Sequence, residues 1–421
     1  MSRQAAFLFP FLICVAPFAV RSSAVADWTR FRGPNGTGVV EQGSIPTTWS
    51  NDDYSWRTKL PGAGYGSPVV IGNSIFLLAS NEETAQRSMV SLDLKTGRQL
   101  WQRDFASQPH RLHAKNSYAS GTPCCDEQAV YATWADYQHT RVVAFKHDGT
   151  SLWDIDLGTW IGDHGFAASP MLYEDLVVLM QEQQADELKP GEKPGQSRMV
   201  ALNKRTGEIV WTTLLKTTRP CYGTPSVYAP SGKEPLIIDT NTGDGLFAID
   251  PKTGKMQWSL AVFKARCCSS PVIAGDFLIG TSGSGGGGNH LVAVRPSDTP
   301  EEVYRVEKQA PYVPTPVYRN GLLFCVADRG VASCLDASNG EEIWTERLGG
   351  NFYSSPIIVG DRLLCVGLEG KAHVLRATRQ GGVLGEVNLG ETCEATPAFS
   401  QGFLLLRFGR ELCSINCTSS L

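Results

Sequence analysis

One short motif, repeated along the chain, limits the possible folds more than any other feature of this sequence. Its clearest copy runs from Leu246 to Trp258. Apolar residues alternate before Asp250, as in a half-buried strand, and Asp250, Pro251 and Gly254 then supply a tight turn before the next strand. Related copies end in other tryptophans: Trp101, Trp153, Trp211 and Trp344. A pattern this regular indicates a repeat protein.

A second motif indicates the number of repeats. A Ser or Thr followed by Pro and an apolar segment recurs at Pro68, Pro123, Pro170, Pro225, Pro271, Pro316, Pro356 and Pro397. The spacing of roughly 40 to 55 residues is that of propeller blades. Proline is compatible with the first position of a strand, so each of these prolines can open one. The eight anchors predict eight units.

The sequence therefore predicts an all-β fold, an eight-bladed β-propeller of four-stranded antiparallel blades. The 43 glycines and the lack of any long segment with helical periodicity agree with this class. The segment around Trp56 resembles an outer strand with no unit before it, whereas the last unit, from Pro397 to Ile415, ends without one. We expect the N-terminal outer strand to complete the last blade, because such closure removes two open sheet edges. Residues 52–421 are then the propeller, and residues 27–51 form an N-terminal arm that we expect on its surface.

Residues 1–26 have the pattern of a secretory signal peptide. Arg3 precedes an apolar stretch that ends at Val20, and a small-residue cleavage site, Ala-Val-Ala, follows. A membrane anchor is less favoured because the stretch is short and contains two prolines, and the residues before Cys14 do not suit lipidation. The mature protein is expected to be periplasmic or secreted. Loss of Cys14 from the 12 cysteines would leave an odd number, and therefore at least one free or intermolecular thiol.

The units resemble the pyrroloquinoline-quinone (PQQ)-type repeat of bacterial eight-bladed propellers. That family includes quinoprotein alcohol dehydrogenases, the outer-membrane assembly lipoprotein of the Bam complex, and secreted PQQ-binding-like repeat proteins, whose start resembles the stretch from Trp28 to Gly38. The resemblance implies that outer-strand tryptophans dock between neighbouring blades: Trp56, Trp101, Trp153, Trp211, Trp258 and Trp344. It is specific for the fold and much less so for function, because function depends on sites placed on a fold.

A candidate ligand site follows from the repeat register. In a propeller, the connection from one outer strand to the next inner strand crosses one face towards the axis. Alignment on the prolines therefore collects the residues just before them around one axial mouth: Tyr65, Asn116, Tyr118, His164, Tyr222, Arg266, Tyr312, Tyr353 and Glu394. Tyrosines with a few charges suit a concave binding pocket. The alternative is that these side chains only plug the channel.

Vicinal cysteines occur twice, and the resemblance gives them an interpretation. PQQ alcohol dehydrogenases carry a vicinal disulfide over the quinone. Cys124 and Cys125 follow Pro123 directly and look like strand residues that point to opposite faces. Cys267 and Cys268 lie on the axial-mouth connection and are the better candidate, although buried unreactive cysteine is the commoner case.

Neither a cofactor nor a metal is predicted from the residues alone. PQQ with Ca²⁺ stays an alternative, but calcium needs several carboxylate and amide oxygens, and no residue of this chain matches the dehydrogenase ligands one by one. The chain is also shorter than those enzymes. His110 and His113 lack a third ligand for a metal site, and the glycines at 285–288 are not followed by the Lys of a phosphate loop.

Cys325 and Cys334 form a candidate disulfide. If Arg329 and Gly330 are a two-residue hairpin loop, the two cysteines lie directly opposite each other and close enough to bond. If Gly330 instead closes a three-residue loop, the register shifts by one and the bond is lost.

These observations favour a periplasmic or secreted binding or scaffold module without catalysis. Its faces and axial mouth would hold a protein, peptide or glycan partner, and the protein is expected to be a monomer. The formal net charge of −4 argues against nucleic-acid binding, no later segment could span a membrane, and no serine nucleophile or kinase motif is present. The alternatives are a quinoprotein oxidoreductase with a quinone near Cys267 and Cys268, and a scaffold for outer-membrane protein assembly.

Overall fold

Strand pairing follows the sequence repeat from blade to blade. The computed structural model describes residues 27–418, and these residues form eight sheets of four antiparallel strands, one of which gains a fifth, parallel strand. First strands of neighbouring blades contact each other, whereas the fourth strands are largely exposed. The first strand of a blade therefore lines the axis and the fourth lies at the rim. The predicted class, an all-β eight-bladed propeller, is confirmed.

The blades are numbered in chain order. Blade 1 consists of Val69–Ile71, Ser74–Ser80, Arg87–Asp93 and Gln99–Phe105. Blade 2 consists of Cys124–Cys125, Val130–Ala135, Thr140–Phe145 and Ser151–Asp156. Blade 3 consists of Met171–Tyr173, Leu176–Gln181, Arg198–Asn203 and Ile209–Leu214. Blade 4 consists of Ser226–Tyr228, Leu236–Asn241, Gly245–Ile249 and Met256–Leu260.

The second half of the ring repeats this arrangement. Blade 5 consists of Val272–Ala274, Phe277–Ser282, His290–Arg295 and Glu301–Val306. Blade 6 consists of Val317–Arg319, Leu322–Ala327, Val331–Asp336 and Glu342–Arg347. Blade 7 consists of Ile357–Val359, Arg362–Val366, Lys371–Arg376 and Val383–Asn388. Blade 8 consists of Ala398–Ser400, Phe403–Phe408, Glu411–Asn416 and, from the start of the chain, Tyr54–Lys59.

The turn of the repeated motif has the chemistry that its residues predict. The Asp250 carboxylate accepts hydrogen bonds from the backbone N–H groups of Lys252 and Thr253 at 2.8 and 3.2 Å. Gly254 takes a φ of +73° and donates its N–H to the Asp250 carbonyl at 2.9 Å. A Cβ at Gly254 would lie 2.7 Å from the ring of Trp211 in the previous blade. The glycine is thus required both by the left-handed turn and by the packing of the neighbouring tryptophan.

Outer-strand tryptophans reach the following blade. The indole N–H groups donate to backbone carbonyls in its turn: Trp56 to Leu94, Trp101 to His147, Trp153 to Lys204, Trp211 to Pro251, and Trp344 to Thr378, at 2.6–3.0 Å. Trp258 lies in an apolar cluster with Leu278 and Val292 of blade 5. In blade 5 Tyr304 stands in place of the tryptophan, and its hydroxyl donates to Ala337 at 2.9 Å. The core is therefore a series of apolar layers between adjacent blades.

Closure of the ring occurs as predicted. The strand Tyr54–Lys59 pairs antiparallel with Glu411–Asn416, and Trp56 lies opposite Ser414. At the rim, the guanidinium of Arg57 forms ion pairs of 2.8 Å with Glu391 and Glu411. The first and last segments of the propeller are thus joined in one sheet.

The N-terminal arm does not lie on the surface as predicted. Trp28 is fully buried and forms a β-bridge with Val70 of blade 1. Beyond a 3-10 turn at Pro34–Gly36, the short strand Val39–Val40 pairs parallel with Ile357–Val359 of blade 7. A second 3-10 turn, Asn51–Asp53, precedes the closing strand.

The arm also crosses the ring. The buried guanidinium of Arg30 donates to the Pro225 carbonyl of blade 4, and that of Arg32 donates to the Pro316 carbonyl of blade 6 at 2.7 Å. Contacts with blades 1, 4, 6 and 7 place the arm across the axis, where it closes one end of the central channel. The ring of Trp28 is buried because it packs between the arm and the blades at this closed end.

The predicted disulfide between Cys325 and Cys334 is not formed. Three residues connect the paired positions Ala327 and Val331, so Cys325 lies opposite Ser333 instead of Cys334. Gly330 closes this loop at a φ of +71°. A register shift of one residue places the two side chains on opposite faces of the sheet, and they pack into different apolar clusters. Both thiols are free.

The predicted signal peptide, residues 1–26, lies outside the described residues. Within residues 27–418, no helix is long and apolar enough to cross a bilayer.

Candidate functional site

The connections that precede the Ser/Thr-Pro motifs meet around one cavity of about 590 Å³ on the axis. Of the residues predicted for the axial mouth and its cysteine pair, this cavity is lined by Tyr65, Asn116, His164, Tyr222, Arg266, Cys268, Tyr312, Tyr353 and Glu394. The cavity is at the end of the axis opposite the arm. It therefore has a floor formed by the propeller and one open side.

Two of the predicted residues are not part of the cavity lining. The Tyr118 hydroxyl donates to the His110 carbonyl at 2.7 Å, and the Arg87 guanidinium covers its ring at 4.8 Å from the centroid. Cys267 is fully buried in the apolar layer between blades 4 and 5. Successive residues of an extended segment face opposite sides, and of the neighbours Cys267 and Cys268 only Cys268 reaches the cavity.

Hydroxyl groups around the axis hold the connections in place. The residue before the strand-opening proline donates its backbone N–H to the hydroxyl of its equivalent in the next blade. The pairs are Ser67–Thr122, Thr122–Ser169, Thr224–Ser270, Ser270–Thr315, Thr315–Ser355 and Ser355–Thr396, at 2.9–3.0 Å. This chain of hydrogen bonds explains why a hydroxyl residue recurs at this position. It also gives the cavity a rigid base.

Alignment of the repeats on their prolines did not identify every residue of the lining. His113 and Lys115 also face the cavity, as do Ser120, Ala167, Ser284, Gly285 and Val313. His113 and Lys115 lie on the connection between blades 1 and 2, which runs from Phe105 to Cys124 and is too long for alignment on Pro123 to place every residue. The length of this connection was the signal available in the sequence. Ser284 and Gly285 belong to the glycine-rich hairpin of blade 5, whose tip bends over the mouth.

Lys115 and Arg266 are the cationic groups of the cavity. The Lys115 ammonium lies 4.7 Å from the centroid of the Tyr353 ring, on the opposite side of the mouth. Arg266 donates through Nε to the Pro220 carbonyl at 2.9 Å, and its Nη1 lies 3.2 Å from Nε2 of His164. Within residues 27–418, no carboxylate forms an ion pair with either side chain. The two positive charges are available to a ligand.

Two histidines stack at the wall of the cavity. The rings of His113 and His164 are 4.7 Å apart with an interplanar angle of 22°. Burial, followed by the charge of Arg266, lowers the pKa of His164 to about 4, and burial also lowers the pKa of His113. Both imidazoles are therefore neutral at pH 7 and add hydrogen-bonding capacity without charge.

Two acids lie near the cavity, Glu394 in its lining and Asp328 behind the wall. Burial raises the pKa of Glu394, and it also raises the pKa of Asp328 behind the wall. The Asp328 oxygens already accept the backbone N–H groups of Tyr312 and Val313 at 2.7 and 3.2 Å. The described lining of the cavity carries two cations, one carboxylate and four tyrosines.

The residues present do not fit a calcium-bound quinone. Calcium takes six to eight oxygen ligands from carboxylates, amide and backbone carbonyls and water. The described lining offers one carboxylate, Glu394, and one side-chain amide, Asn116, and Lys115 and Arg266 face the same space. Within the described part of the chain, no cluster of three or more His, Cys, Asp or Glu residues has metal-site geometry. Cys267 and Cys268 are free, and only Cys268 reaches the cavity wall.

Cys124 and Cys125 behave as strand residues. Both are buried, and they pack into the apolar layers on opposite faces of blade 2. Burial raises the pKa of both thiols. They have no part in the axial cavity.

Comparison with known structures supports the fold. The chain is similar to a europium-containing methanol dehydrogenase, with 14% identity over 90% of this chain and 89% of that one and a TM-score of 0.66. It is also similar to a quinohemoprotein alcohol dehydrogenase from Comamonas testosteroni, with 12% identity, 92% and 80% coverage and a TM-score of 0.65. A third similar structure is BamB from Moraxella catarrhalis, with 14% identity, 85% and 97% coverage and a TM-score of 0.57. At these identities the likeness shows the fold alone.

Comparison with curated proteins finds no match in sequence. A family model does match, over residues 48–118, 86–312 and 291–384, which together span most of the propeller. This chain therefore belongs to the PQQ-repeat family whose model is described as outer membrane protein assembly factor BamB.

Proposed function

We propose that this protein is a periplasmic or secreted binding module whose axial cavity captures an acidic group of a protein or peptide partner, without catalysis. The observation that carries the proposal is the pair of unpaired cations, Lys115 and Arg266, in a cavity lined by tyrosines.

The cavity has the size and chemistry of a recognition pocket. Its volume of about 590 Å³ lies within the range of ligand pockets, roughly 300 to 1,000 Å³. That space accommodates one or two side chains or a chain terminus. Tyr222 and Tyr312 line the wall beside Arg266, so a carboxylate there would meet a guanidinium and the apolar faces of the rings. Charge-assisted hydrogen bonds of this kind are about twice as strong as neutral ones.

Rigid surroundings favour binding over chemistry. The chain of hydroxyl hydrogen bonds fixes the connections, and the histidines are neutral and stacked on each other. Within the described residues, the cavity wall carries no nucleophile paired with a base. A pre-formed pocket reduces the entropy lost by the protein on binding.

The family supports a protein partner. The model that matches most of this chain is described as an outer-membrane protein assembly factor, and structural likeness extends to BamB from Moraxella catarrhalis. An envelope protein with an acidic segment is therefore the proposed class of partner. If the partner is an outer-membrane β-barrel, the two proteins should be recovered together from a native envelope.

Binding of labelled peptides tests the proposal. We expect fluorescein-labelled peptides that end in Asp or Glu to bind more tightly than the same peptides with Asn or Gln, and to bind more weakly as salt rises. Lys115→Gln should weaken the binding of the acidic peptides about tenfold, which corresponds to about 1.4 kcal/mol. Lys95→Gln, which removes the same charge from an exposed turn of blade 1, is the matched control. Equal binding by both variants would contradict the proposal.

A quinoprotein-like oxidoreductase is the second candidate. The observations that favour it are the position of Cys268 in the wall of an axial cavity and the structural likeness to alcohol dehydrogenases. The donor groups of the cavity do not fit calcium, as described above. Dye-linked oxidation of alcohols by the purified protein, after addition of PQQ and Ca²⁺, would establish this candidate in place of the binding module.

A further inference from the structure

Two cysteines from neighbouring blades meet beside the axial cavity. Cys221 and Cys267 occupy equivalent positions, since each lies four residues before the proline that opens its blade. The connections that carry them are joined by a hydrogen bond of 2.9 Å from Tyr222 N–H to the Cys267 carbonyl. In addition, the backbone N–H of Cys267 lies 3.4 Å from Sγ of Cys221.

The other cysteine pairs that the sequence singles out do not share this arrangement. Cys124 and Cys125 pack on opposite faces of one sheet, as do Cys325 and Cys334. Cys221 and Cys267 instead lie in the same apolar layer between blades 4 and 5, at 4% and 0% exposure. Their two backbone segments are already held together, so a bond between the sulfurs requires only a local side-chain adjustment.

We propose that Cys221 and Cys267 form a disulfide that links blade 4 to blade 5 when the chain folds in the presence of a disulfide oxidant. The oxidant is a disulfide-exchanging oxidoreductase or a small disulfide such as oxidised glutathione. This modification site is independent of the proposed binding function.

The exchange is balanced in atoms and electrons. The Cys221 thiolate attacks one sulfur of the oxidant, which gives a mixed disulfide and releases the other oxidant sulfur as a thiolate. The Cys267 thiolate then attacks Sγ of Cys221, forms the inter-blade bond and releases the second oxidant sulfur. Two protein thiols lose two protons and two electrons, and the oxidant disulfide is reduced to two thiols. Both cysteines are buried in the folded chain, so the exchange takes place before blade 5 has packed against blade 4.

The link would act on the rim of the cavity. Tyr222 and Cys268 follow the bonded residues directly in sequence, and both line the cavity. A covalent bond between the two connections would hold these side chains in one arrangement.

Peptide mapping tests the inference. The full chain is refolded in a glutathione redox buffer, alkylated, digested and analysed by mass spectrometry. We expect a cross-linked pair of peptides, one with Cys221 and one with Cys267 and Cys268, and the loss of about two mass units per chain relative to the reduced protein. The link should disappear in Cys221→Ser and in Cys267→Ser, and persist in Cys268→Ser and in the distant control Cys365→Ser. A bond between Cys267 and Cys268, or alkylation of both Cys221 and Cys267 in the oxidised wild-type chain, would overturn the inference.

Discussion

The two ends of the central channel are built from the same eight blades but have opposite properties. At one end the arm fills the channel, and Trp28 and Arg32 are fully buried there. At the other end the connections leave a cavity of about 590 Å³, with Lys115 and Arg266 free of carboxylate partners among the described residues. At the closed end the side chains hold the ring together, whereas at the open end Lys115 and Arg266 are available to a ligand. We therefore expect substitutions at the closed end to reduce stability, and substitutions at the open end to reduce binding.

Trp28→Ala should have the largest effect. The side chain is fully buried and lies in the apolar cluster that includes residues of blades 1, 7 and 8, so truncation leaves a large cavity at the closed end. We expect a loss of about 3–5 kcal/mol in the free energy of unfolding, measured by urea denaturation. Leu214→Ala, at a side chain that is 60% exposed, is the control and should stay within about 0.5 kcal/mol. If Trp28→Ala is as stable as this control, the arm is not a structural plug.

Trp211→Phe tests the packing between blades 3 and 4, in the part of the ring that connects the two ends. The substitution keeps most of the apolar surface but removes the 2.9 Å hydrogen bond from the indole N–H to the Pro251 carbonyl of blade 4. We expect a loss of about 1–3 kcal/mol, because a partly buried carbonyl loses its donor. The same substitution at Trp258, for which the structure shows apolar packing against blade 5, should cost less. Equal losses would mean that the docking depends on packing alone.

Acidification should reduce the free energy of unfolding through His164, which lies at the open end. The pKa of His164 is lowered from 6.5 to about 4, so between these values the unfolded chain binds a proton that the folded chain does not. The contribution of His164 to stability is therefore complete above about pH 6.5 and is lost as the pH falls towards 4. Since the imidazole is only partly buried, we expect about 1 kcal/mol or less. Denaturation midpoints of the wild type and His164→Gln, compared at about pH 7.5 and about pH 5, measure it: the variant should lose less stability on acidification, and parallel losses would exclude His164 as the cause.

The difference between the two ends also explains what the sequence could predict. Strand order, ring closure and residues such as Tyr65 and Tyr353 follow from the repeat, because a periodic anchor places equivalent positions on one face of the ring. The burial of Trp28 does not follow from it, because the arm occurs once and has no equivalent in another blade. Lys115 was missed for the same reason, since its connection is longer than the others.

Strand register is the second feature that could not be predicted from the sequence. The residues around Gly330 are compatible with a two-residue and with a three-residue loop, and a change of one position moves Cys334 to the other face of the sheet. The local sequence does not distinguish these loops. The contact between Cys221 and Cys267 could not be predicted either, because it depends on how two blades pack. Both residues nevertheless occupy the same position of the repeat.

Lys115→Ala should have the smallest effect on stability and the clearest effect on binding. The ammonium lies over the Tyr353 ring at 4.7 Å and forms no ion pair with a described residue, so its removal costs one solvated cation–π contact, about 0.5 kcal/mol. Binding of an acidic peptide should nevertheless fall about tenfold, since a charge that faces the ligand is lost. Urea denaturation and fluorescence polarisation on the same protein sample separate the two effects. A large loss of stability without a loss of affinity would assign Lys115 to the structure of the mouth and would remove the functional difference between the two ends of the channel.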